Sequence, residues 1–190
     1  MLGGFYLRNS AKVLLCAALS SGLLASAVAA EDSAATAKIA ALSDFGAKLD
    51  VLEQAVDDIT VTGALALLAP EFPDWEFGGA SGFGSVKAGA TNDLGAVAAS
   101  HEYGMGKLRG ALFRNKHASD AQREAAMQIL AEVKDLILVG YELEKLVEAD
   151  DMPAAGQVYR EKILTQSDKL NEDLEALTKE IEQAIKFSAL

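Results

Sequence analysis

The residues best suited to bind a ligand form a basic segment within an acidic chain. The chain carries 28 acidic and 17 basic side chains in 190 residues, yet no acidic residue lies between Glu102 and Asp120. Arginine guanidinium groups donate paired hydrogen bonds to carboxylates and phosphates. This cationic segment, residues 103–119, therefore predicts a binding site for a small anionic ligand or an acidic protein surface. Its four basic residues are Lys107, Arg109, Arg114 and Lys116. The residues expected to bind the ligand are His101, Tyr103, Lys107, Arg109 and Arg114.

The same basic side chains allow an intramolecular interpretation. They would then pair with acidic residues on another helix, such as Glu142, Glu144 and Glu148. Pairs of this kind near the surface contribute little free energy and leave no charge for a ligand. The two interpretations differ in whether the cations already have carboxylate partners.

Elsewhere the sequence lacks the combinations of residues that catalysis or metal binding requires. His101 and His117 are 16 positions apart, whereas a zinc site needs three or four ligands in suitable geometry. Ser81 and Ser85 do not complete a Gly-x-Ser-x-Gly elbow. Residues 79–84 lack the flanking strand and helix of a dinucleotide-binding loop. The sequence therefore predicts a protein that is not an enzyme, with no catalytic residue, no metal and no cofactor.

Two pairs of adjacent carboxylates, Asp57–Asp58 and Asp150–Asp151, are the remaining candidates for acid–base chemistry. Such chemistry would require burial, but acidic residues on amphipathic helices and at turns are usually solvated or cap a helix. We therefore expect both pairs to lie in solvent or at helix ends.

The start of the chain has the composition of a secretory signal. Arg8 and Lys12 precede an apolar stretch, which ends in small residues at 27–30. A positive start, an apolar middle and a small-residue cleavage site are the features of such signals. We expect residues 1–30 to be a cleaved signal peptide, residues 31–190 to form a helical bundle domain, and the protein to be periplasmic or secreted.

Cysteine content and net charge narrow the set of partners. The single cysteine, Cys16, lies inside the predicted signal, so the remaining chain cannot form a disulfide or a thiolate zinc site. The formal net charge is −11, whereas polyanion binding depends on many cationic contacts. We therefore expect no binding to nucleic acid, and membrane association only in the alternative architecture described below.

Three segments have apolar residues at alternating steps of three and four, the spacing of helices that share an a/d seam. They cover residues 36–68, 119–150 and 153 onward. Ser119 and Gln122 give the second helix the pattern of a capping box. Such heptad faces also offer a surface for a homo-oligomer. The three stripes are Leu42, Phe45, Leu49, Leu52, Val56 and Ile59; Ile129, Val133, Leu136, Leu143 and Val147; and Leu170, Leu174, Leu177, Ile181 and Ala184.

Residues 70–117 allow two architectures because they are rich in glycine. In the favoured one, a Gly-rich loop to about residue 89 leads into a fourth helix. The fold is then all-α, an antiparallel four-helix bundle with the Gly-rich loop between helices 1 and 2. In the alternative, residues 72–115 form a β-meander, since Trp75, Phe77 and Phe83 share the parity of one strand face. The stripe of the fourth helix would comprise Leu94, Ala98, His101, Met105, Leu108 and Leu112.

The favoured order of elements resembles the four-helix-bundle sensor domain of bacterial chemoreceptors. The resemblance is carried by residues 107–181, most closely by Leu108-Arg109-Gly110-Ala111-Leu112 and by residues 146–155. In the second stretch, a helix ends in a short acidic turn before an alanine-led last helix. The resemblance implies a non-enzymatic, exported ligand-binding or sensor-like module.

The alternative architecture has a resemblance of its own. Residues 63–68 lead from a coiled-coil segment into glycine-rich alternating residues, similar to the membrane anchor of trimeric autotransporter adhesins. This resemblance implies a coiled-coil protein of the cell envelope or outer membrane, anchored by a Gly-rich β-meander at residues 72–115.

Overall fold

The computed structural model describes residues 6–68, 76–78, 85–87 and 92–189, and side chains within 33–68 and 94–189. These residues are almost all helical, which confirms the predicted all-α class. A π-helical turn, Tyr159–Leu164, connects the last two helices into one long element. The helices are α1 (Tyr6–Leu68), α2 (Asn92–Arg114), α3 (Asp120–Glu148), α4 (Met152–Val158) and α5 (Thr165–Ser188).

Helix α1 begins far earlier than the heptad pattern predicts. It starts at Tyr6 rather than near Thr36, so its backbone continues through most of the predicted signal. The leucines and alanines of that region have high intrinsic helix propensity, although they do not continue the seam. The prediction that residues 1–30 are cleaved remains a prediction.

The region between α1 and α2 contains two short strands. The strands β1 (Glu76–Gly78) and β2 (Ser85–Lys87) pair antiparallel, with Phe77 opposite Val86. Most of the predicted Gly-rich loop, residues 69–75, 79–84 and 88–91, lies outside the described residues.

The alternative β-meander over residues 72–115 is wrong for its larger part, because residues 92–114 form α2. The reason is the period of the buried side chains, which follows a helix rather than a strand. Glycine costs about 1 kcal/mol relative to alanine in a helix interior, and burial of this stripe offsets that cost for α2. The buried residues of α2 are Leu94, Ala98, Met105, Leu108 and Leu112.

The hydrophobic core lies along the three predicted seams and the stripe of α2. Helices α1 and α3 pack against each other, and both also contact α2 and α5. This arrangement leaves one long face of α2 directed away from the central pair. The α1 and α5 seams are covered within a single chain; Leu42, Leu52 and Ile59 are 0% exposed and Leu174 is 2% exposed.

Local sequence signals determine the ends of α3 and α4. The Ser119 side chain accepts a hydrogen bond from the Gln122 amide, and the Gln122 side chain accepts one from the Ser119 amide, which confirms the capping box. Asp150 adopts the left-handed region with φ of 58° and lets the chain reverse. Asp151 then caps α4 by accepting a hydrogen bond from the amide of Ala154.

Within the described part of the chain, no helix combines the length and the apolar character needed to cross a bilayer.

Candidate functional site

The cationic segment covers the C-terminal half of α2 and the turn that leads to α3. The buried stripe of α2 fixes the rotation of the helix, because Met105, Leu108 and Leu112 must face the core. The intervening positions are therefore directed outward. Lys107, Arg109, Arg114 and Lys116 are all exposed.

A groove of about 1250 Å³ lies between the end of α2 and the start of α3. Arg109, Arg114 and Lys116 line it, together with the apolar side chains of Phe113 and Met127. We call it the α2–α3 groove. Two acidic residues, Asp120 and Glu124, also line it, and Asp120 forms an ion pair with Arg123. The remaining cationic groups can bind a carboxylate or phosphate, and the apolar wall can contact the remainder of a ligand.

A second, smaller groove of about 330 Å³ lies where the same turn meets α1. Asp44 lines it from α1, and Arg114, Lys116 and His117 line it from the other side. Arg114 and Lys116 therefore border both grooves. A ligand on either side of the turn would meet these two cations.

The cations of the segment have no carboxylate partner among the described residues. None of the four lies within 4.0 Å of a described acidic oxygen. The nitrogen Nζ of Lys107 instead lies 5.3 Å from the centroid of the Tyr103 ring. At that distance the aromatic face attracts a cation but leaves its charge uncompensated.

The intramolecular pairing suggested for these cations is wrong for at least two of the acids. Glu142 Oε2 lies 2.7 Å from Lys162 Nζ, and Glu144 Oε1 accepts a hydrogen bond from the amide of Gly95. The contact with Gly95 lies at the opposite end of α2 from Arg114, and Lys162 belongs to the π-helical turn. Glu142 and Glu144 therefore have other partners.

Asn115 holds the turn that carries Arg114 and Lys116. Its Nδ2 donates a hydrogen bond of 2.6 Å to the carbonyl of Ala41 on α1. Its Oδ1 accepts hydrogen bonds from the amides of His117 and Ala118. One side chain thus fastens the turn to α1 and shapes the backbone beyond α2.

Arg123 supports the same turn from α3. Its guanidinium donates to the carbonyl oxygens of Asn115 and Ala118 at 2.9 and 2.5 Å, and also binds Asp120. These bonds use three of the five N–H donors of the guanidinium, so Arg123 positions the wall of the groove. The sequence interpretation missed both Asn115 and Arg123. An asparagine just after a helix was the available signal for a side chain that bonds local backbone.

His101 lies away from the α2–α3 groove, on the side of α2 that faces α1. Its Nε2 is 3.0 Å from Asp58 Oδ2, and the two side chains are 10% and 7% exposed. The expectation that both acids of the Asp57–Asp58 pair are solvated is therefore wrong for Asp58. The structure brings Arg109 and Arg114 together at one groove, but places His101 at a helix interface.

Asp57, unlike its neighbour Asp58, is exposed to solvent. Partial desolvation raises the pKa of Asp57, and the negative charge of Asp58 raises it further. Both effects disfavour the charged carboxylate. The adjacent acids of α1 thus have different environments despite their identical chemistry.

A second group of polar contacts surrounds the π-helical turn. Tyr159 donates its hydroxyl proton to the carbonyl of Thr60 at 3.1 Å. The Thr60 hydroxyl donates to the carbonyl of Val56, and lies 2.7 Å from the hydroxyl of Ser167. Burial raises the pKa of Tyr159. Although π-helical turns are frequent at functional sites, these contacts satisfy one another and leave no polar group directed at a ligand.

Other kinds of site are absent from the described ranges. No group of three or more His, Cys, Asp or Glu side chains is placed to hold a metal ion there. No buried side-chain nitrogen or oxygen in this part of the chain lacks a hydrogen-bond partner. The α2–α3 groove and its unpaired cations are therefore the strongest candidate site.

No family model, curated protein or solved structure matches this chain.

Proposed function

We propose that the protein is a non-enzymatic, exported helical binding module that resembles a sensor domain. Its cationic segment binds a small anion or an acidic partner protein. The observation that carries this proposal is that Arg109, Arg114 and Lys116 border one groove and form no ion pair with a described acidic residue. Cations held close together and unpaired favour an anion as the missing partner.

The geometry suits arginine chemistry. A hydrogen bond to a charged group contributes about 1.5 to 3 kcal/mol, which corresponds to tenfold or greater discrimination. Phe113 and Met127 add apolar contact on the wall of the groove. A ligand with a carboxylate or phosphate and an apolar part would use both, and so would an acidic protein surface.

The proposed scaffold is an antiparallel four-helix bundle with a Gly-rich connection between α1 and α2. Late residues of α1 contact early residues of α2, as in the pair Asp58 with His101, while Ala41 contacts Asn115. The contacts of α3 with the last long helix follow the same antiparallel order. Its contacts include Glu142 with Lys162 and Glu132 with Lys169.

Export is part of the same proposal and rests on the composition of residues 1–30. We expect material purified from an exporting host to begin at Ala30 or Glu31. Intact-mass measurement tests this directly. Retention of residues 1–30 would contradict cleavage and make the protein a tethered bundle.

The binding proposal is tested by removing the charges of the two arginines. The double variant Arg109→Gln, Arg114→Gln should lose binding measured by titration calorimetry, because glutamine keeps much of the side chain but lacks the charged fork. The small-anion probes are inorganic phosphate, sulfate and succinate. Polyglutamate represents an acidic protein surface.

The matched control is Lys145→Gln, Arg160→Gln, which removes the same charge from exposed positions outside the groove. We expect it to bind the probes as the parent does, and both double variants to melt close to the parent. The proposal fails if the groove variant melts markedly lower while no probe raises the melting temperature of the parent.

A further inference from the structure

A second heptad series runs along the outward face of α2, opposite its buried stripe. Its residues alternate in steps of three and four, so they form a continuous strip on the helix surface. Five of the six are exposed and Gly110 is half-buried. We call this strip the α2 seam; it comprises Ala96, Ala99, Tyr103, Gly106, Gly110 and Phe113.

The α2 seam exposes two aromatic rings to solvent. Tyr103 is 80% exposed and Phe113 is 69% exposed. Aromatic side chains are enriched where proteins bind one another, because they bury a large area at low entropic cost. Phe113 also lines the α2–α3 groove, so the seam and the groove form one continuous surface.

Small residues occupy the positions between these rings. A Cβ added at Gly106 would meet no atom within 4 Å, so the backbone of α2 is open to solvent there. Such a position lets the backbone of a second helix approach closely, with its own side chains between Tyr103 and Phe113. The shape of the seam therefore fits a helix better than a flat surface.

Cations border both edges of the seam. With about 100° of rotation per residue, Lys107 and Arg114 fall along one edge. Arg109 falls along the other edge, where Glu102 also lies and accepts a hydrogen bond from the Tyr141 hydroxyl. In coiled coils, charged side chains that flank the apolar seam in this way determine which partner helix binds. Since none of these cations has a carboxylate partner among the described residues, the complementary helix would carry acidic edges.

We propose that the α2 seam docks an amphipathic helix of another protein, with small apolar residues along its contact face and acidic residues along both edges. This inference rests on the proposed function, because it specifies which acidic partner the cationic segment binds. The seam supplies apolar contact and the cations fix the orientation of the partner.

The charges disfavour two other occupants. A second copy placed with its own seam against this one would bring Lys107, Arg109 and Arg114 of both copies together, and like charges oppose such contacts. An anionic membrane would meet only Tyr103 and Phe113 as large apolar anchors, on a chain of net charge −11. Both surfaces are nevertheless included as outcomes of the test.

Two glycines of α2 provide a matched pair of variants. Gly104 and Gly106 are both exposed, and a Cβ at either would meet nothing within 4 Å. Gly106 lies in the seam, whereas Gly104 is rotated about 200° from it around the helix. Gly106→Gln thus obstructs the seam, whereas Gly104→Gln makes the same chemical change on another face of α2.

The probe is a synthetic helical peptide with alanine along its contact face and glutamate along both edges. We expect the parent and Gly104→Gln to bind it, and Gly106→Gln to bind about tenfold more weakly or worse, since an obstruction at the centre of an interface is costly. Binding is followed by fluorescence anisotropy at low salt. A control peptide with lysine edges should not bind.

The outcomes separate this inference from the proposed function. Loss of peptide binding in Arg109→Gln, Arg114→Gln but not in Gly106→Gln would overturn the seam and leave the anion-binding proposal intact. Unchanged binding in both variants, or no binding by the parent, would overturn the helix-docking proposal, and the phosphate, sulfate and succinate titrations then decide the proposed function separately. If the peptide with lysine edges binds as tightly as the peptide with glutamate edges, the proposed selection of an acidic partner by charge is overturned.

Two further measurements test the other occupants. A concentration-dependent dimer in sedimentation that Gly106→Gln abolishes would identify a second copy and overturn the proposal. Binding to phosphatidylglycerol vesicles that Gly106→Gln abolishes would identify a membrane and overturn it as well. We expect the protein to be a monomer that does not bind the vesicles. We also expect it to bind the acidic peptide, and Gly106→Gln to weaken that binding.

Discussion

The amide of Gly95 donates a hydrogen bond of 3.0 Å to Oε1 of Glu144, so a carboxylate from α3 lies at the first turn of α2. The first turn of a helix has amides without intrahelical partners and a partial positive charge. Glu144 therefore stabilises the start of α2 from a neighbouring helix. A Cβ at residue 95 would overlap this carboxylate, which explains a glycine at that position.

Gly95→Ala should lower the free energy of unfolding by about 1 kcal/mol. Loss of a hydrogen bond to a charged group costs about 1.5 to 3 kcal/mol, and higher helix propensity offsets at most about 1 kcal/mol of that. Urea denaturation monitored by circular dichroism measures the difference. Gly104→Ala is the control, because its Cβ meets nothing within 4 Å, and it should instead stabilise the protein. Stabilisation by both would show that Glu144 contributes nothing to α2.

The seam of α5 gives a second prediction. Leu174 is 2% exposed within the core cluster, and removal of a buried leucine side chain costs about 2 to 5 kcal/mol. Leu174→Ala should therefore lower the midpoint of urea denaturation strongly. Glu172→Ala, at an exposed position of the same helix, should change it little. A loss below about 0.5 kcal/mol at Leu174 would contradict burial of the seam.

These stripes could be predicted from the sequence because a helix repeats its burial pattern within a few residues. The same holds for the capping box, since Ser119 and Gln122 contact each other within one turn. Even the fourth helix followed from the period of Leu94 and Leu112, despite its glycines. Local pattern and tertiary packing agree at each of these places.

The features that the sequence did not predict depend on residues far apart in the chain. Asp58 was predicted to be solvated because no residue near it in the sequence indicates a contact with His101, which lies 43 positions away. The π-helical turn after Val158 was also missed, because its residues have ordinary helical character. The cationic segment was predicted, but the groove beside it requires α3 and the turn that Asn115 holds.

The pair Asp58 and His101 provides a third prediction. Two largely buried polar groups that contact each other should be coupled, since removal of either takes this contact away from the other. We expect Asp58→Ala and His101→Ala each to destabilise the protein, and the double variant to lose less than the sum of the two. The coupling free energy from the double-mutant cycle should be on the order of 1 to 2 kcal/mol.

A spatially separate pair serves as the control for this cycle. Asp58→Ala combined with Glu175→Ala, at an exposed position on α5, should give additive losses because the two side chains do not share a partner. Additive losses for Asp58 with His101 would contradict the proposed coupling across α1 and α2.

The contributions of Asp57 and Glu132 to the stability of the protein should change in opposite directions as pH rises. The pKa of Glu132 is lowered, chiefly by the hydrogen bond from Lys169. Its contribution to stability is therefore present above the ordinary glutamate pKa and is lost as pH falls through the lowered value. Glu132→Gln should accordingly destabilise the protein at neutral pH, with a smaller effect in acid.

The pKa of Asp57 is raised by partial desolvation and by the charge of Asp58, so the folded protein binds this proton more tightly than the unfolded chain does. Stability from Asp57 is present below the ordinary aspartate pKa and falls as pH rises through the raised value. Asp57→Asn, which removes the ionisation, should therefore melt higher than the parent at neutral pH and alongside it in strong acid. Thermal denaturation from strong acid to neutral pH measures the change in melting temperature for both Asp57→Asn and Glu132→Gln. If Asp57→Asn melts lower than the parent at neutral pH, the ionised carboxylate stabilises the fold and the assigned direction is incorrect.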